Sequence, residues 1–526
     1  MLEFRITDIL VRSITIELSN DRCYKIDEEV DYYIDDEKVI SSSLNVNTIY
    51  GLQPDTEYTV RVKAEGEAGH SHTIRTKKES TLLNVRDFGA KGDGKKLDTV
   101  YIQAAINACP PQGTVCFPEG IYHTGPLFLK SDMNIWIMKG SILLGDENRD
   151  DYPILPGMIF NTDEKDEYNL GTWEGNPLDA YASLLTGIDV KNTDIFGEGE
   201  IDGNAPASDW WMDPKIKRGA WRPRTIFLER CENIRLQGIT VKNSPCWTIH
   251  PYYSDNVRLL SLNISNPYDS PNTDGVDPES CNDLKIIGTR ISVGDDCIAI
   301  KSGKYYMALR HHKPSENMEI RNCLLQNGHG SVTIGSECAG GVRKVYISQC
   351  IFDGTDRGLR IKTRRGRGKR SVLENIEFEN IIMKDVRMPF TVNMFYFCDP
   401  DGHSDNCQNK GELPVDDMTP EIRSVKASRI TCSGVDVCVL CAYGLPEKKI
   451  GQLIFKNIDV TFKNEDERKK EIPLMMDDLE PMSGRGIYVR NVEELILDDI
   501  KIRSSEDTDI DSKNADRIQV KGVEFL

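Results

Sequence analysis

The sequence predicts an all-β protein: a long parallel β-helix preceded by a small β-sandwich. The first observation is a repeat. From about residue 84 onward, short apolar strands recur, each introduced by a polar turn, as in ENIRLQGITVKNS, DNVRLLSLNISN, NDLKIIGTRISVGDD, ENMEIRNCLLQNG, RKVYISQCIFDGT and ENIEFENIIMKDV. The second is the period. Measured from the polar residue before each strand, the steps are 23 residues from Asn233 to Asn256, 27 to Asp283, 34 to Asn317 and 27 to Lys344, the length of one coil of a stacked solenoid. A β-propeller is the competing architecture, but its blades need about forty residues and a recurring aromatic signature that is missing here. The third is a change of organisation near residue 80, which divides the chain into 1–80 and 81–526.

Residues 1–80 alternate polar and apolar positions in short strands such as SITIEL and EYTVRVKAEG, with turn-rich segments between them and no helical period. That is the pattern of a β-sandwich. The stretch Gly51-Leu52-Gln53-Pro54-Asp55-Thr56-Glu57-Tyr58 resembles the corner of fibronectin type III modules in which a tyrosine after a Pro-containing turn pins a strand. The resemblance implies a fold and no chemistry. Lys77 to Ser80 make a short polar linker, and Thr99 to Ala108 is a candidate capping helix ahead of the first coils. Two longer inserts, at about 145–183 and 396–416, interrupt the repeat.

Composition excludes several classes of function. The 526 residues carry 84 acidic and 65 basic side chains, a formal charge of −19, so nucleic acid and anionic membranes start at an electrostatic disadvantage. No run of eighteen apolar residues occurs, and the first eighteen residues alternate instead of forming a basic region and an apolar block. Fifteen cysteines, an odd number, sit largely inside apolar runs, which reads as reduced core thiols. There is no CxxC pair and no His/Cys cluster at zinc spacing. The adjacent His311 and His312 would point to opposite faces of a strand and read as solvated.

The chemistry lies in polar clusters that interrupt the repeat. These are Asn272-Thr273-Asp274-Gly275, then GDDCIAIKSG at 294–303 with Asp295 and Asp296, then Gly328-His329-Gly330, then Arg360-Ile361-Lys362. Asp295 follows Asp274 by 21 residues, His329 follows Asp295 by 34, and Arg360 follows His329 by 31, about one coil each. Stacked strands are about 4.8 Å apart, so coil stacking would align these groups in a column. Each cluster alone reads as a turn, a bend or a solvated strand face; together at coil spacing they read as a catalytic cleft. Paired carboxylates can protonate a leaving glycosidic oxygen and deprotonate a water. Three packed acids cannot all stay ionised, which should keep one protonated as general acid. Arg and Lys two residues apart suit an anionic, acidic sugar.

With these four motifs in order, the chain resembles glycoside hydrolase family 28, the polygalacturonase family of right-handed parallel β-helices. NVRDFGAKGDG at 84–94 likewise resembles the segment with which pectin-acting β-helices begin. Carried over position by position, the resemblance implies that Asp295 is the general acid, that Asp274 and Asp296 activate water, and that His329 supports the acid. Arg360 and Lys362 would hold the galacturonate carboxylate at the cleavage point. The family inverts the anomeric configuration and needs no metal or other cofactor. Rhamnogalacturonan-cleaving members generally lack the His and the Arg-x-Lys set, so keeping both implies homogalacturonan. The preceding module and GHGSVTIGSECAGGVRK at 328–344 look most like bacterial members that trim chains from an end.

Exo action needs a blocked groove, and the two inserts, with Tyr168, Trp173, Tyr181 and Tyr396, are candidates for the wall. Asn272 and Tyr396 join Arg360 and Lys362 as candidate substrate-binding residues. The basic run Lys362 to Arg370 reads as a positive collar drawing polygalacturonate toward the cleft. The expected partner is therefore a pectic oligo- or polysaccharide, not nucleic acid or a membrane. Unpaired thiols and the lack of a leader-like start suggest a cytoplasmic enzyme, or a secreted one if a leader has been removed. Alternatives are an endo-acting polygalacturonase, a pectate lyase using calcium and a basic residue, and a non-catalytic carbohydrate-binding β-helix.

Overall fold

The computed structural model describes residues 2–64, 69–163, 166–504, 506 and 509–526. Seven strands form the N-terminal module: β1 (Glu3–Ile9), β2 (Ser13–Ser19), β3 (Lys25–Ile34), β4 (Glu37–Leu44), β5 (Val46–Tyr50), β6 (Glu57–Lys63) and β7 (His70–Arg75). They pair as two antiparallel sheets, β1-β2-β5 and β4-β3-β6-β7. Between them lies a core of its own that includes Ile14, Ile16, Tyr32, Val60 and Val62. The Tyr58 hydroxyl accepts the backbone N–H of Gln53 at 2.9 Å, so the tyrosine ties the strand to the turn upstream of it.

The rest of the chain winds as coils of short parallel strands. In the long sheet, Leu236, Leu259, Ile286, Ile320, Ile347 and Phe378 follow one another in register. All six are buried, so each coil places an apolar side chain on the last and a single continuous core results. The polar residues that mark the period do so for a conformational reason. Asn233, Asn256, Asp283, Asn317 and Lys344 all adopt left-handed backbone, with φ between +52° and +60°. Asn and Asp tolerate that region better than other non-glycine residues. Side-chain amides link neighbouring corners, as from Asn317 Nδ2 to Asn282 Oδ1 at 2.6 Å. The helix Thr99–Ala108 closes the first coils with Ile102, Ala105 and Ile106 buried against the core.

The module is docked along the side of the β-helix, not hung from a free linker. The Glu17 carboxylate receives Arg321 at 2.7 and 2.9 Å and Asn322 Nδ2 at 2.8 Å, all buried. Arg235 Nε meets Asp8 at 2.8 Å and Lys77 Nζ meets Asp194 at 2.6 Å. Gly238, at φ +78°, lies so close to the Tyr50 hydroxyl that any Cβ there would overlap it.

All fifteen cysteines are unpaired, and every one except Cys398 is buried. His312 is exposed, as expected, and His311 is half-buried; both follow the short helix Tyr305–Arg310 instead of lying on a strand. His311 Nε2 is 2.6 Å from Glu167 Oε1 and His312 Nε2 is 3.1 Å from the Gly340 carbonyl. Among the described residues no helix is long and apolar enough to cross a membrane.

Candidate active site

One sheet of the β-helix positions the site. Ile249, Val276, Ile298, Val332, Leu359 and Phe390 stack in register on successive coils with their side chains buried inward. The residue two places before each of the middle four lies at the rim of that sheet: Asp274, Asp296, Gly330 and Arg357. Backbone bonds lock the rims together. Gly275 N–H donates to the Asp296 carbonyl at 3.0 Å, and His329 N–H to the Asp295 carbonyl at 3.0 Å.

The carboxyls converge. One oxygen from each of Asp274, Asp295 and Asp296 lies within 4.8 Å of the others. They line a cavity of about 320 Å³ together with Asn272, His329, Arg360, Lys362 and Tyr396. Every candidate catalytic and substrate-binding residue from the sequence therefore reaches one pocket.

Charge within the cluster is unevenly divided. Burial pushes the Asp274 carboxyl well above the usual range, reinforced by Asp277 and Asp295. Asp296 is driven the other way: burial would raise it, but Lys362 and Arg360 together hold it far below. Lys362 Nζ donates to Asp296 Oδ2 at 2.9 Å and Arg360 Nη1 to Oδ1 at 3.0 Å. This alters one expectation, because the pair foreseen as a substrate clamp is engaged in clamping the Asp296 carboxylate. Both cations still face the cavity, and each keeps donors beyond the one spent on Asp296. Burial and its acidic neighbours thus favour the protonated form of Asp274, while the two cations favour the charged form of Asp296.

His329 donates or accepts through Nδ1 with Asp356 Oδ2 at 2.8 Å. That bond raises its pKa, burial opposes it, and Asp295 and Asp296 add to the rise. Asp356 is in turn held by Arg387 at 3.3 Å. Asn272 has left-handed backbone, φ +56°, and its Oδ1 accepts from Arg222 Nη2 at 2.6 Å. Lys362 Nζ sits 5.4 Å from the Tyr396 ring centroid, so that ring contributes an aromatic wall against the cation.

Several residues escaped the sequence reading. Lys301 Nζ lies 3.2 Å from Glu337 Oε2, 3.5 Å from Asp277 Oδ1 and 4.5 Å from the Trp247 ring centroid. It belongs to the GDDCIAIKSG motif already noted, where its parity on the strand after Asp295 is the signal that was available. Asp277, three residues past Asp274, is buried and its carboxyl is pushed to about 7 by that burial, against the pull of Lys301 and Arg224. The insert prediction holds in part. Glu174 from the first insert and Tyr396, Cys398 and Asp399 from the second line the cavity, but so do Lys215 and Met475 from segments not foreseen as walls. Trp173 stacks on Trp221 at 4.7 Å, Tyr181 packs on Trp210, and Tyr168 binds Asp189; none of these three lines the cavity.

The positive collar is not there. Arg364 and Arg367 are buried and paired with Asp399, at 3.1 and 2.6 Å, and Arg365 is paired with Glu447 at 2.7 Å. Buried cations must be paired, and these arginines fasten the second insert instead of attracting substrate. Lys369 is exposed and meets Asp417.

Comparison with known proteins settles the family. Residues 137–476, well over half of the chain, match the family model of glycosyl hydrolases family 28. The chain belongs to glycosyl hydrolase family 28. Residues 82–149 also match a model described as rhamnogalacturonase A/epimerase, pectate lyase-like. Among relatives, a probable polygalacturonase of Vitis vinifera is 27% identical over 408 residues, spanning 76% of this chain and 77% of that one. An exo-poly-alpha-D-galacturonosidase of Dickeya chrysanthemi is 27% identical over 457 residues, spanning 78% and 73%. The solved family 28 exopolygalacturonase of Yersinia enterocolitica covers 100% of this chain and 97% of its own, with a TM-score of 0.65 at 21% identity. That likeness shows the fold, the right-handed parallel β-helix of family 28. The hyperthermoactive exopolygalacturonase of Thermotoga maritima matches 80% of this chain and 91% of its own, with a TM-score of 0.63 at 25% identity.

Proposed function

We propose that this family 28 enzyme hydrolyses α-1,4-galacturonosyl linkages of polygalacturonate or its oligomers, working from a chain end. The observation that carries the reading is the meeting of three carboxyls with Arg360 and Lys362 in one cavity. Asp295, half-buried at the mouth of the cluster, delivers the proton to the leaving oxygen. Asp296, kept ionised by its two cations, deprotonates the water, and Asp274 helps to orient it. His329, its charged form favoured by Asp356, steadies the developing charges beside Asp295. The remaining donors of Arg360 and Lys362, with Asn272 and Tyr396, receive the uronate. The cavity stands at the small end of ligand sites, which run about 300–1,000 Å³; it has room for a chain terminus more readily than for a chain running through.

Inverting enzymes usually separate their carboxyls by about 6.5–9.5 Å, whereas these oxygens lie within 4.8 Å. We assign inversion on the family resemblance and on Asp296. Both of its oxygens are engaged by cations, which suits orienting a water better than attacking carbon. The same engagement weighs against a calcium-dependent lyase, since a calcium ion at this cluster would sit against Arg360 and Lys362. We also propose a reducing compartment, on the fifteen unpaired thiols; fractionation of the native host would test it.

The test of activity is release of reducing ends from polygalacturonate by the wild type, insensitive to EDTA and without an ultraviolet-absorbing unsaturated product. Asp295→Asn, folded by circular dichroism, should release none. Release by that variant would remove the acid assignment.

A further inference from the structure

We infer that His123, Asp146 and Glu147 form a divalent metal site of the zinc type, separate from the catalytic cavity. The three are brought together by the same coil stacking that builds the active site. The strand Gly120–Thr124 pairs in register with Ser141–Gly145, His123 opposite Leu144 and Thr124 opposite Gly145. Asp146 is the next residue, and its N–H donates to the Thr124 carbonyl at 3.0 Å. No spaced motif announces the cluster, because its members lie on different coils.

One ligand atom from each residue falls within 4.8 Å of the others. His123 Nε2 is 3.5 Å from Asp146 Oδ1 and 3.3 Å from Glu147 Oε2. A charge-assisted hydrogen bond would be about 2.7–2.9 Å, and Nε2, though shielded from solvent, makes none. Zinc bonds to imidazole and carboxylate are about 2.0–2.2 Å, which places neighbouring ligands of a tetrahedron about 3.3–3.6 Å apart. The two distances from Nε2 are those of a tetrahedral edge. Three protein ligands and an open fourth position is a familiar zinc arrangement.

The charge balance points the same way. Asp146 is buried, and among the described residues no Lys or Arg pairs with it or with Glu147. Among the described residues its Oδ1 accepts only the Asn148 backbone N–H, at 3.1 Å, a neutral donor. Buried charges are paired or coordinate metals, and here His123 alone cannot neutralise the acids. The site sits where the first insert leaves the β-helix and beside the capping helix, since the His123 carbonyl accepts the Asp98 N–H at 2.8 Å. A metal there would staple the cap to the insert that carries Glu174 to the cavity.

The test is titration of the EDTA-treated, dialysed full chain with zinc chloride, by calorimetry and thermal melting. One equivalent should bind and raise the melting temperature. His123→Gln and Glu147→Gln should each weaken binding at least about 100-fold, since even indirect supports of a ligand are worth 10–100-fold, and should abolish the thermal shift. Glu147 is exposed, so its variant reports even if the histidine variant fails to fold. Asp295→Asn should bind zinc as the wild type does. Absence of zinc binding, binding unchanged in the two ligand variants, or binding lost only in Asp295→Asn would each overturn the assignment.

Discussion

At the scale of single residues, Asp296 has the least freedom to change its surroundings. It is buried between Arg360 and Lys362, and removing one partner of such a group typically costs 3–5 kcal/mol because the other charge is left unpaired. Lys362→Ala should therefore lower both the melting temperature and kcat, and not merely raise KM. A variant with intact stability and kcat and a raised KM would return Lys362 to a pure substrate clamp. A depressed carboxyl stabilises the fold above its unfolded pKa and loses that contribution as pH falls through the folded one; for Asp296 the loss lies well below the ordinary carboxylate range. His329 has the opposite sign. Its folded pKa is raised by Asp356, so the pairing is fully present below the unfolded value near 6.5 and is lost as pH rises through the folded value. Asp356→Asn should move the alkaline limb of the kcat/KM profile to lower pH; an unmoved limb would sever His329 from catalysis. Asp274, Asp295 and His329 were legible in the sequence because coil length converts into alignment. Asp356, Lys301 and Asp277 were not, because their importance comes from a partner's position. The arginines after Lys362 were misread for the same reason, since Asp399 and Glu447 lie far along the chain.

At the scale of elements, the coil is defined by its corners. Asn256, at φ +52°, shows why a polar ruler works on this sequence: the position demands a left-handed residue, and asparagine supplies one. Left-handed backbone costs an ordinary residue about 1–2 kcal/mol, so Asn256→Ala should destabilise by about that amount and Asn256→Gly by less, measured by urea unfolding. Equal losses in the two variants would shift the cause from backbone strain to the lost amide contact with Asn233. The strands and corners could be read in advance. The cavity walls could be read only in part, because Lys215 and Met475 arrive from segments with no periodic signal, and the metal-like cluster at His123 was hidden by the same coil-to-coil placement.

At the scale of the whole molecule, the N-terminal module is an integral flank of the β-helix. Two architectures and a polar linker are legible in the sequence and would suit an independent module; the burial of Glu17 against Arg321 and Asn322 is not. Glu17→Ala should destabilise the protein by less than the roughly 3–5 kcal/mol of a fully stranded charge, because Arg321 keeps Glu319 as a partner, and should do so within one cooperative thermal transition for module and β-helix together. Two separate transitions in the wild type would show that the docking is weaker than its buried ion pair implies. Within that single body, three carboxyls and two cations meet in one cavity.

That cavity is tested most directly by following tetragalacturonate digestion with proton NMR from the first turnover. The account predicts galacturonate units released one end at a time, the new reducing end appearing first as the β anomer, with no unsaturated signals. An α anomer at first appearance, products cut from the middle of the chain, or an unsaturated uronate would contradict it.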